Sequence, residues 1–380
     1  MVALEPEASA LHSSLVPHLL LMKELALRLT AMRRRRGSID FDLPEPEIIM
    51  NLQGEIEDVI RSKRLLAHRI IEEFMLAANE AVATALANGQ IPSLYRIHEQ
   101  PDPGKIAEFR DFVYNLGYRL AGTGEERVSP ARLQRLLDEV EGRPEERMIN
   151  ELLLRCMKQA RYSVDQLGHF GLASPCYTHF TSPIRRYPDL VVHRMLRTLL
   201  AGALSDETRQ RLTTELPETA AHTSRRERIA MEAEREIVNL RKAQFMLSRL
   251  GEEYDGIITG VANFGLFVEL VDIFIDGMVP VAMLKDDYYQ YQEKEHLLVG
   301  RRSGVRFRIG DQLRIQVARV DLERRRIEFV PVGTPAKASE KGAAKVSFRQ
   351  RFLSGKLPPG AVSPPGRPGG RPPKRGRRGR

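Results

Sequence analysis

Cysteine is scarce in this sequence: Cys156 and Cys176 are the two among 380 residues. That excludes a disulfide framework and a cysteine-built zinc site, and it fits a chain working in a reducing cytoplasm. Long apolar runs are missing too. Leu15 to Leu29 is leucine-rich, but His18, Lys23, Glu24 and Arg28 interrupt it, so the spacing predicts an amphipathic helix and no membrane anchor. No basic residue precedes this run and acidic Glu5 and Glu7 do, which is not the pattern of a secretion signal. Most of the chain also lacks an excess of either charge. Lys and Arg number 59 against 50 Asp and Glu, but Lys356 to Arg380 holds eight basic residues and no acidic one, and without them the count is 51 against 50. A neutral body with a basic tail is the pattern of an electrostatic arm for a polyanion.

What is present is ample apolar material: 42% hydrophobic residues, enough for the cores of two or three domains and too much for disorder throughout. Helical spacing runs from Pro17 to Arg36, where four arginines end at Gly37 as a solvated helix end, and again over Leu65 to Leu86 and Pro103 to Leu116. Alternation in Ser38 to Ile60, through Ile39, Phe41, Leu43, Ile48 and Met50, predicts short strands. Further helices are expected over Pro130 to Val140, Pro144 to Arg155 and, opened by Ser182-Pro183, to about Leu200. The longest should run from Glu215 to Leu250, with Ala220, Ile229, Ile237 and Leu240 on its apolar side. Beyond Gly251 the period changes to two. Tyr254 to Val261, Gly265 to Leu270, Gly277 to Pro280, Gln312 to Val317 and Arg326 to Phe329 make five glycine-punctuated strands, the count of an OB-type barrel. The fold class is therefore α+β: a mainly helical part, a five-stranded OB-fold barrel, and a disordered basic tail rich in Pro, Gly and Arg.

The most informative stretch is His169-Phe170-Gly171-Leu172 with Tyr177-Thr178-His179-Phe180-Thr181-Ser182-Pro183-Ile184-Arg185-Arg186-Tyr187-Pro188-Asp189-Leu190. A capped helix start beside two arginines is a phosphate site, and Phe170, Tyr177, Phe180 and Tyr187 offer faces for bases. The plainer reading pairs one arginine with Asp189 and puts the aromatics in the core. His169 and His179 suit structural or RNA contacts better than catalysis. In the barrel, Phe264 and Phe267 flank the first turn, where aromatics are either displayed to RNA or, for Phe267, buried by alternation. Arg301, Arg302, Arg306, Arg308 and Arg314 supply a basic surface, and Tyr288-Tyr289-Gln290-Tyr291 either binds a base or fills a long loop.

The run from Leu154-Arg155-Cys156-Met157-Lys158-Gln159-Ala160-Arg161-Tyr162-Ser163 to His193-Arg194 closely resembles the signature of the ribonuclease II and ribonuclease R (RNB) family. The resemblance implies that residues 1–250 are the C-terminal part of a ribonuclease catalytic domain, that 251–332 form an S-one-type RNA-binding domain, and that 333–380 are a basic tail like that of the ribonuclease R branch. It implies a cytoplasmic enzyme degrading single-stranded RNA processively from the 3′ end with magnesium. Carried over by position, Arg185 would contact the scissile phosphate, Phe41 would stack on 3′-terminal bases, Glu72 would read the ribose 2′-OH, and Glu234 would lie near the active site. Arg186 and Tyr187 would belong to the same RNA surface. Without the resemblance, Phe41 reads as core, Glu72 as a solvated helix face and Glu234 as an i to i+4 partner of a neighbouring arginine.

One feature of the family is missing: the closely spaced aspartates that hold its metal ions. Asp40-Phe41-Asp42 is the nearest imitation, and no metal ligand is assigned in this chain. Either a separately encoded N-terminal half supplies the aspartates, or the chain is an inactive RNA-binding fragment or a regulatory RNA-binding protein.

Overall fold

The computed structural model describes residues 12–41, 46–54, 56–62, 64–120, 128–143, 145–202, 204–295 and 297–333. Asp42 and Leu43, the helix start expected at Pro144, and nearly all of the basic tail lie outside them. Seven helices stand among the described residues: α1 (Val16–Arg36), α2 (Leu66–Asn88), α3 (Pro103–Asn115), α4 (Pro130–Val140), α5 (Glu146–Cys156), α6 (Tyr187–Ala201) and α7 (Asp206–Leu247).

Helix α1 stops at Gly37, which is left-handed at φ 92° and pressed so closely on Ala131 that no side chain would fit. Its last turn is the solvated arginine end expected at Arg34, Arg35 and Arg36, which are exposed, but not at Arg33. Arg33 is buried, donating to Glu73 Oε1 on α2 at 2.9 and 3.1 Å and to Ser38 Oγ at 2.7 Å, and Arg36 reaches Glu80 at 2.6 Å. These two long side chains cross to a neighbouring helix. Ser38 to Phe41, expected in a strand, has no regular structure; the strands that do form are a hairpin, β1 (Pro46–Met50) with β2 (Ile56–Arg61).

Helix α6 begins at Tyr187, not at Pro183, and residues 183–185 form a turn. A helix begun at Pro183 would place Pro188 in its interior, where the ring clashes with the Ile184 carbonyl and offers no N–H. Helix α7 is 42 residues long and starts earlier than expected, because Ser205 caps it by accepting the Thr208 N–H at 3.2 Å. It carries Pro217 inside, where buried Leu212, Leu216 and Ala220 hold the flanks in place. Its middle is bare: Ile229 and Ile237, expected on an apolar side, are exposed.

Two short strands, β3 (Tyr95–Ile97) and β4 (Arg161–Ser163), pair antiparallel within the helical part. The barrel strands match the period-two segments: β5 (Glu253–Ala262), β6 (Gly265–Leu270) and β7 (Asp276–Pro280), then β11 (Gln312–Asp321) and β12 (Arg326–Pro331), closed in the order β11-β12-β7-β6-β5. Between β7 and β11 lies a further antiparallel sheet of β8 (Tyr289–Gln292), β9 (Leu297–Gly300) and β10 (Arg306–Arg308).

The barrel interior holds Ile258, Leu266, Val268, Ile315 and Phe329, and it is completed by Phe245 and Met246 of α7 and Val59 of β2. Ile309 joins the opposite cluster, with Phe109, Leu133, Ile149 and Leu153. A bidentate pair from Arg147 on α5 to Glu269 on β6, at 2.8 and 2.7 Å, adds a charged tie. Helical part and barrel are thus packed through shared apolar surface.

Candidate nucleic-acid interface

Helix α2 is the scaffold of the candidate site. Glu72 and Asn79 lie seven residues apart, on one side and about 10 Å along the axis. Glu72 is half-buried and takes a two-pronged ion pair from Arg64, at 2.7 and 2.6 Å, and Arg64 also reaches Asp40 at 3.3 Å. These bonds, the one to Glu72 foremost, raise the Arg64 pKa. Glu72 is therefore neither a free carboxylate nor an open solvated face. Phe41, next to Asp40, is half-buried against the Phe109 and Leu133 cluster, so part of its ring packs as core. The Ile39 N–H donates to the Gly171 carbonyl at 2.8 Å, tying this segment to the 169–174 loop.

Asn79 holds the other signature segment. Its Nδ2 donates to the Tyr177 hydroxyl at 2.9 Å and its Oδ1 accepts the Phe180 N–H at 3.0 Å. The aromatics proposed as stacking faces divide accordingly. Phe170 and Tyr177 are buried, and Phe180 is covered by His193 at a ring distance of 4.1 Å and 15°. Tyr187 alone among the four is exposed.

Around Tyr177 a chain of rings fixes the backbone. His98 and His169 are 5.1 Å apart, His169 and Tyr177 5.4 Å, and Tyr177 and His179 5.9 Å, each near edge-to-face. His98 Nδ1 accepts the Gly171 N–H and His169 Nδ1 the Leu172 N–H. His179 Nδ1 meets the Tyr162 hydroxyl at 2.8 Å. Burial drives the His169 pKa down to about 3 and that of His179 to about 2, so both are neutral near pH 7. They are framework, as the sequence led us to expect.

The arginine pair separates cleanly. Arg186 donates to Asp189 Oδ1 at 2.8 Å, and the same oxygen accepts the Ser182 N–H at 2.8 Å. Asp189 is fully buried, so Arg186 is the structural arginine. Arg185 is exposed, and among the described residues no carboxylate pairs with it. The turn through Ile184 and Arg185 is anchored by the Arg185 and Arg186 N–H groups on the Ser182 carbonyl. Asp189 takes the place of the bare helix N-terminus inferred for phosphate, and the Arg185 guanidinium is the one of the pair left exposed.

Glu234 is exposed on α7, and among the described residues neither a neighbouring arginine nor any other side chain pairs with it. Glu227, two turns earlier, is the α7 carboxylate that enters the ring network, bound to Arg96 at 2.5 Å, and Arg96 lies over the Tyr162 ring. Sequence reasoning passed over Glu227, Arg64 and Asn79. Asn79 had a signal, a lone amide in the apolar run Phe74-Met75-Leu76-Ala77-Ala78. The ion pairs had none, since their partners are distant in sequence.

On the barrel, Phe264 and Phe267 are exposed by 54% and 41%, edge to face at 5.9 Å, which decides Phe267 against the core. Arg301, Arg302, Arg306, Arg308 and Arg314 are all exposed, although Arg314 is offset by Asp255 at 3.0 Å. Among the described residues, no three His, Cys, Asp or Glu side chains gather where they could hold a metal ion. No described helix is long and apolar enough to cross a membrane.

The RNB domain family matches residues 3–202 and the S1 RNA binding domain family residues 248–330. Ribonuclease R 1 of Lactococcus lactis is 44% identical over 329 residues, 87% of this chain and 40% of that protein. Ribonuclease R of Aquifex aeolicus is also 44% identical, over 86% of this chain and 46% of its own. A solved structure, Mycoplasma genitalium RNase R in complex with ribose methylated single-stranded RNA, superposes with a TM-score of 0.78 at 28% identity, covering 84% of this chain and 50% of that one. The chain thus spans less than half the length of these two curated relatives, and it belongs to the RNB family, with an S1 RNA-binding domain following the RNB part.

Proposed function

We propose that this chain is the RNA-holding portion of a ribonuclease R-type 3′ to 5′ exoribonuclease acting on single-stranded RNA in the cytoplasm. The observation that carries the reading is the contrast between Arg186, locked to buried Asp189, and Arg185, displayed beside it without a carboxylate. A fixed cation on a braced turn suits charge that develops on a phosphate. Phe41 stacks on terminal bases with its uncovered part, Glu72 accepts the ribose 2′-OH, and Glu234 and Tyr187 border the strand. Phe264 and Phe267 lead RNA across the barrel.

Hydrolysis needs carboxylates that the described residues do not group together, so the reading includes a further polypeptide carrying them. Helix α1 supports this: it buries only Ala26 and Arg33, while Leu20, Leu21, Leu25, Leu27 and Met32 face solvent. An apolar face of that extent is a surface for covering. The missing carboxylates equally favour a second reading, an RNA-binding protein without activity.

The test is magnesium-dependent release of mononucleotides from the 3′ end of single-stranded RNA. The expected result is none from the purified chain and stepwise release once the aspartate-bearing segment is fused or added. Release by the chain alone would overturn the need for that segment. Binding without release in the complemented protein would leave the second reading.

A further inference from the structure

The small sheet between β7 and β11 treats its three tyrosines unequally. Tyr289 packs on Phe307 with ring centroids 5.3 Å apart and donates its hydroxyl to Asp286, and Tyr291 packs against the barrel core. Tyr288 is 74% exposed. Yet it stands on the most tightly organised loop of the barrel region. The buried Asp287 carboxylate accepts the Tyr288 N–H at 2.6 Å on one oxygen. Its other oxygen accepts the Arg302 N–H at 2.8 Å, the Ser303 N–H at 2.6 Å and the Ser303 hydroxyl at 2.7 Å. The Arg301 N–H closes back on the Tyr288 carbonyl at 2.9 Å. A side chain at Gly300 would collide with Asp287 and Ser303, so this packing requires glycine. The hydrogen bonds hold the Asp287 carboxyl well below the usual range, so the loop stays charged and fixed at any ordinary pH.

A loop so braced buries neither Tyr288 nor the arginine opposite. Arg302 places its guanidinium over one face of the Tyr288 ring, 5.5 Å from the centroid, with its Nε 3.6 Å from Asp287 Oδ1 and the rest of the side chain exposed, and Arg301 and Arg306 stand exposed nearby in sequence. Ordering a large aromatic in water gives nothing back to folding; it lowers the entropy lost when a flat ligand lands on the ring. A nucleobase stacks on the face of tyrosine that the guanidinium leaves open, and the guanidinium takes a phosphate oxygen of the same nucleotide.

We infer that Tyr288 and Arg302 form a second nucleotide-binding site for single-stranded RNA, separate from Phe264 and Phe267 and preformed by Asp287. The inference rests on the RNA-binding reading of the barrel and adds to it a site on the inserted sheet.

The test titrates the full 380-residue chain into short, single-stranded, fluorescent polyadenylate RNA, with thermal melting of each variant as a control. Tyr288→Ala should weaken binding about tenfold, the effect of one lost stack, and leave melting unchanged because the ring is exposed. Tyr288→Phe should bind like the wild type. Arg302→Ala should lower the slope of log affinity against log salt by about one, with Arg302→Lys restoring the slope. If Tyr288→Ala binds normally while Phe264→Ala does not, this inference fails and the RNA-binding barrel stands. If both bind normally, or the wild type does not bind, both fall.

Discussion

The helical part and the barrel treat their arginines in opposite ways. In the helical part Arg33, Arg36, Arg64, Arg96 and Arg186 each face a carboxylate across a tertiary contact or within a turn. In the barrel region Arg301 and Arg306 stand on exposed turns and edges, while Arg302 and Arg314, also exposed, keep Asp287 at 3.6 Å and Asp255 at 3.0 Å. The first arrangement cancels charge to fix backbone, and the second displays charge to the surroundings. The signature turn sets the two arrangements side by side: Arg186 is held by buried Asp189, and Arg185 next to it is left exposed on a braced turn, which asks for a ligand.

The largest effect expected from this contrast is on chemistry. In a protein complemented with the aspartate-bearing segment, Arg185→Ala should reduce single-turnover cleavage by about 10² to 10³, the loss typical of one preorganised charge-stabilising group. RNA affinity should change only a few-fold, because many phosphate contacts share it. An affinity loss as large as the cleavage loss would move Arg185 from transition-state stabilisation to simple binding.

Stability should respond in the opposite sense. Arg186→Ala strands the Asp189 charge, which has no exposure, and should cost about 3–5 kcal/mol by urea denaturation. Arg185→Ala should lie within about 0.5 kcal/mol of wild type. Equal stability for the two variants would erase the distinction between bound and displayed arginines.

Acid should act on the helical part before the barrel. His169 and His179 titrate near 3 and 2 when folded and near 6.5 when unfolded, so below about pH 6.5 the unfolded chain takes up more protons. Their contribution is complete above pH 6.5 and is lost as pH falls, by up to about 1.4 kcal/mol per pH unit for each residue. His179→Gln should make the fall from pH 7 to pH 5 shallower by one such share. Parallel curves would show that His179 does not titrate on unfolding.

The same contrast explains what was legible in the sequence. All five barrel strands followed from alternation and glycine, because barrel strands are set by local periodicity, whereas the same alternation left Phe267 open between core and display until its 41% exposure decided it. Arg185 and Arg186 were marked by their motif, yet only the fold shows which one Asp189 takes. The two missed helix starts have different causes: Pro188 belongs to the first turn of α6, and α7 begins at Asp206 on the Ser205 cap, ahead of the expected Glu215. The exposed middle of α7 was unreadable because Ile229 and Ile237 keep helical spacing without a neighbour to bury them. The Asp40, Arg64 and Glu72 network joins positions 24 and 8 residues apart, which no local pattern encodes.

A smaller binding effect belongs to the displayed side. Phe264→Ala should weaken single-stranded RNA binding by about 1–3 kcal/mol, measured by fluorescence anisotropy, because its ring has a free face to stack on. Phe267→Ala should weaken it less, since that ring is also packed over Gly260. The reverse order would place the stacking face on Phe267.

The smallest stability effect should come from Arg64, and it tests whether the paired side of the molecule also serves recognition. Arg64 and Glu72 are each about one-third exposed, so water screens their attraction and Arg64→Ala should cost less than about 1 kcal/mol of stability. Its effect on recognition should be out of proportion. Arg64 holds both Glu72 oxygens and, through Asp40, the segment that carries Phe41, so its loss frees the carboxylate and the aromatic together. If Glu72 reads the ribose 2′-OH, Arg64→Ala and Glu72→Ala in the complemented protein should both narrow the preference for RNA over DNA of the same sequence. Arg64→Lys should recover little, because a single ammonium cannot hold Glu72 and Asp40 at once as Nη2 and Nη1 do. Unchanged discrimination in both alanine variants would return Glu72 to a purely structural ion pair and leave recognition in the helical part to side chains outside ion pairs, Arg185 first among them.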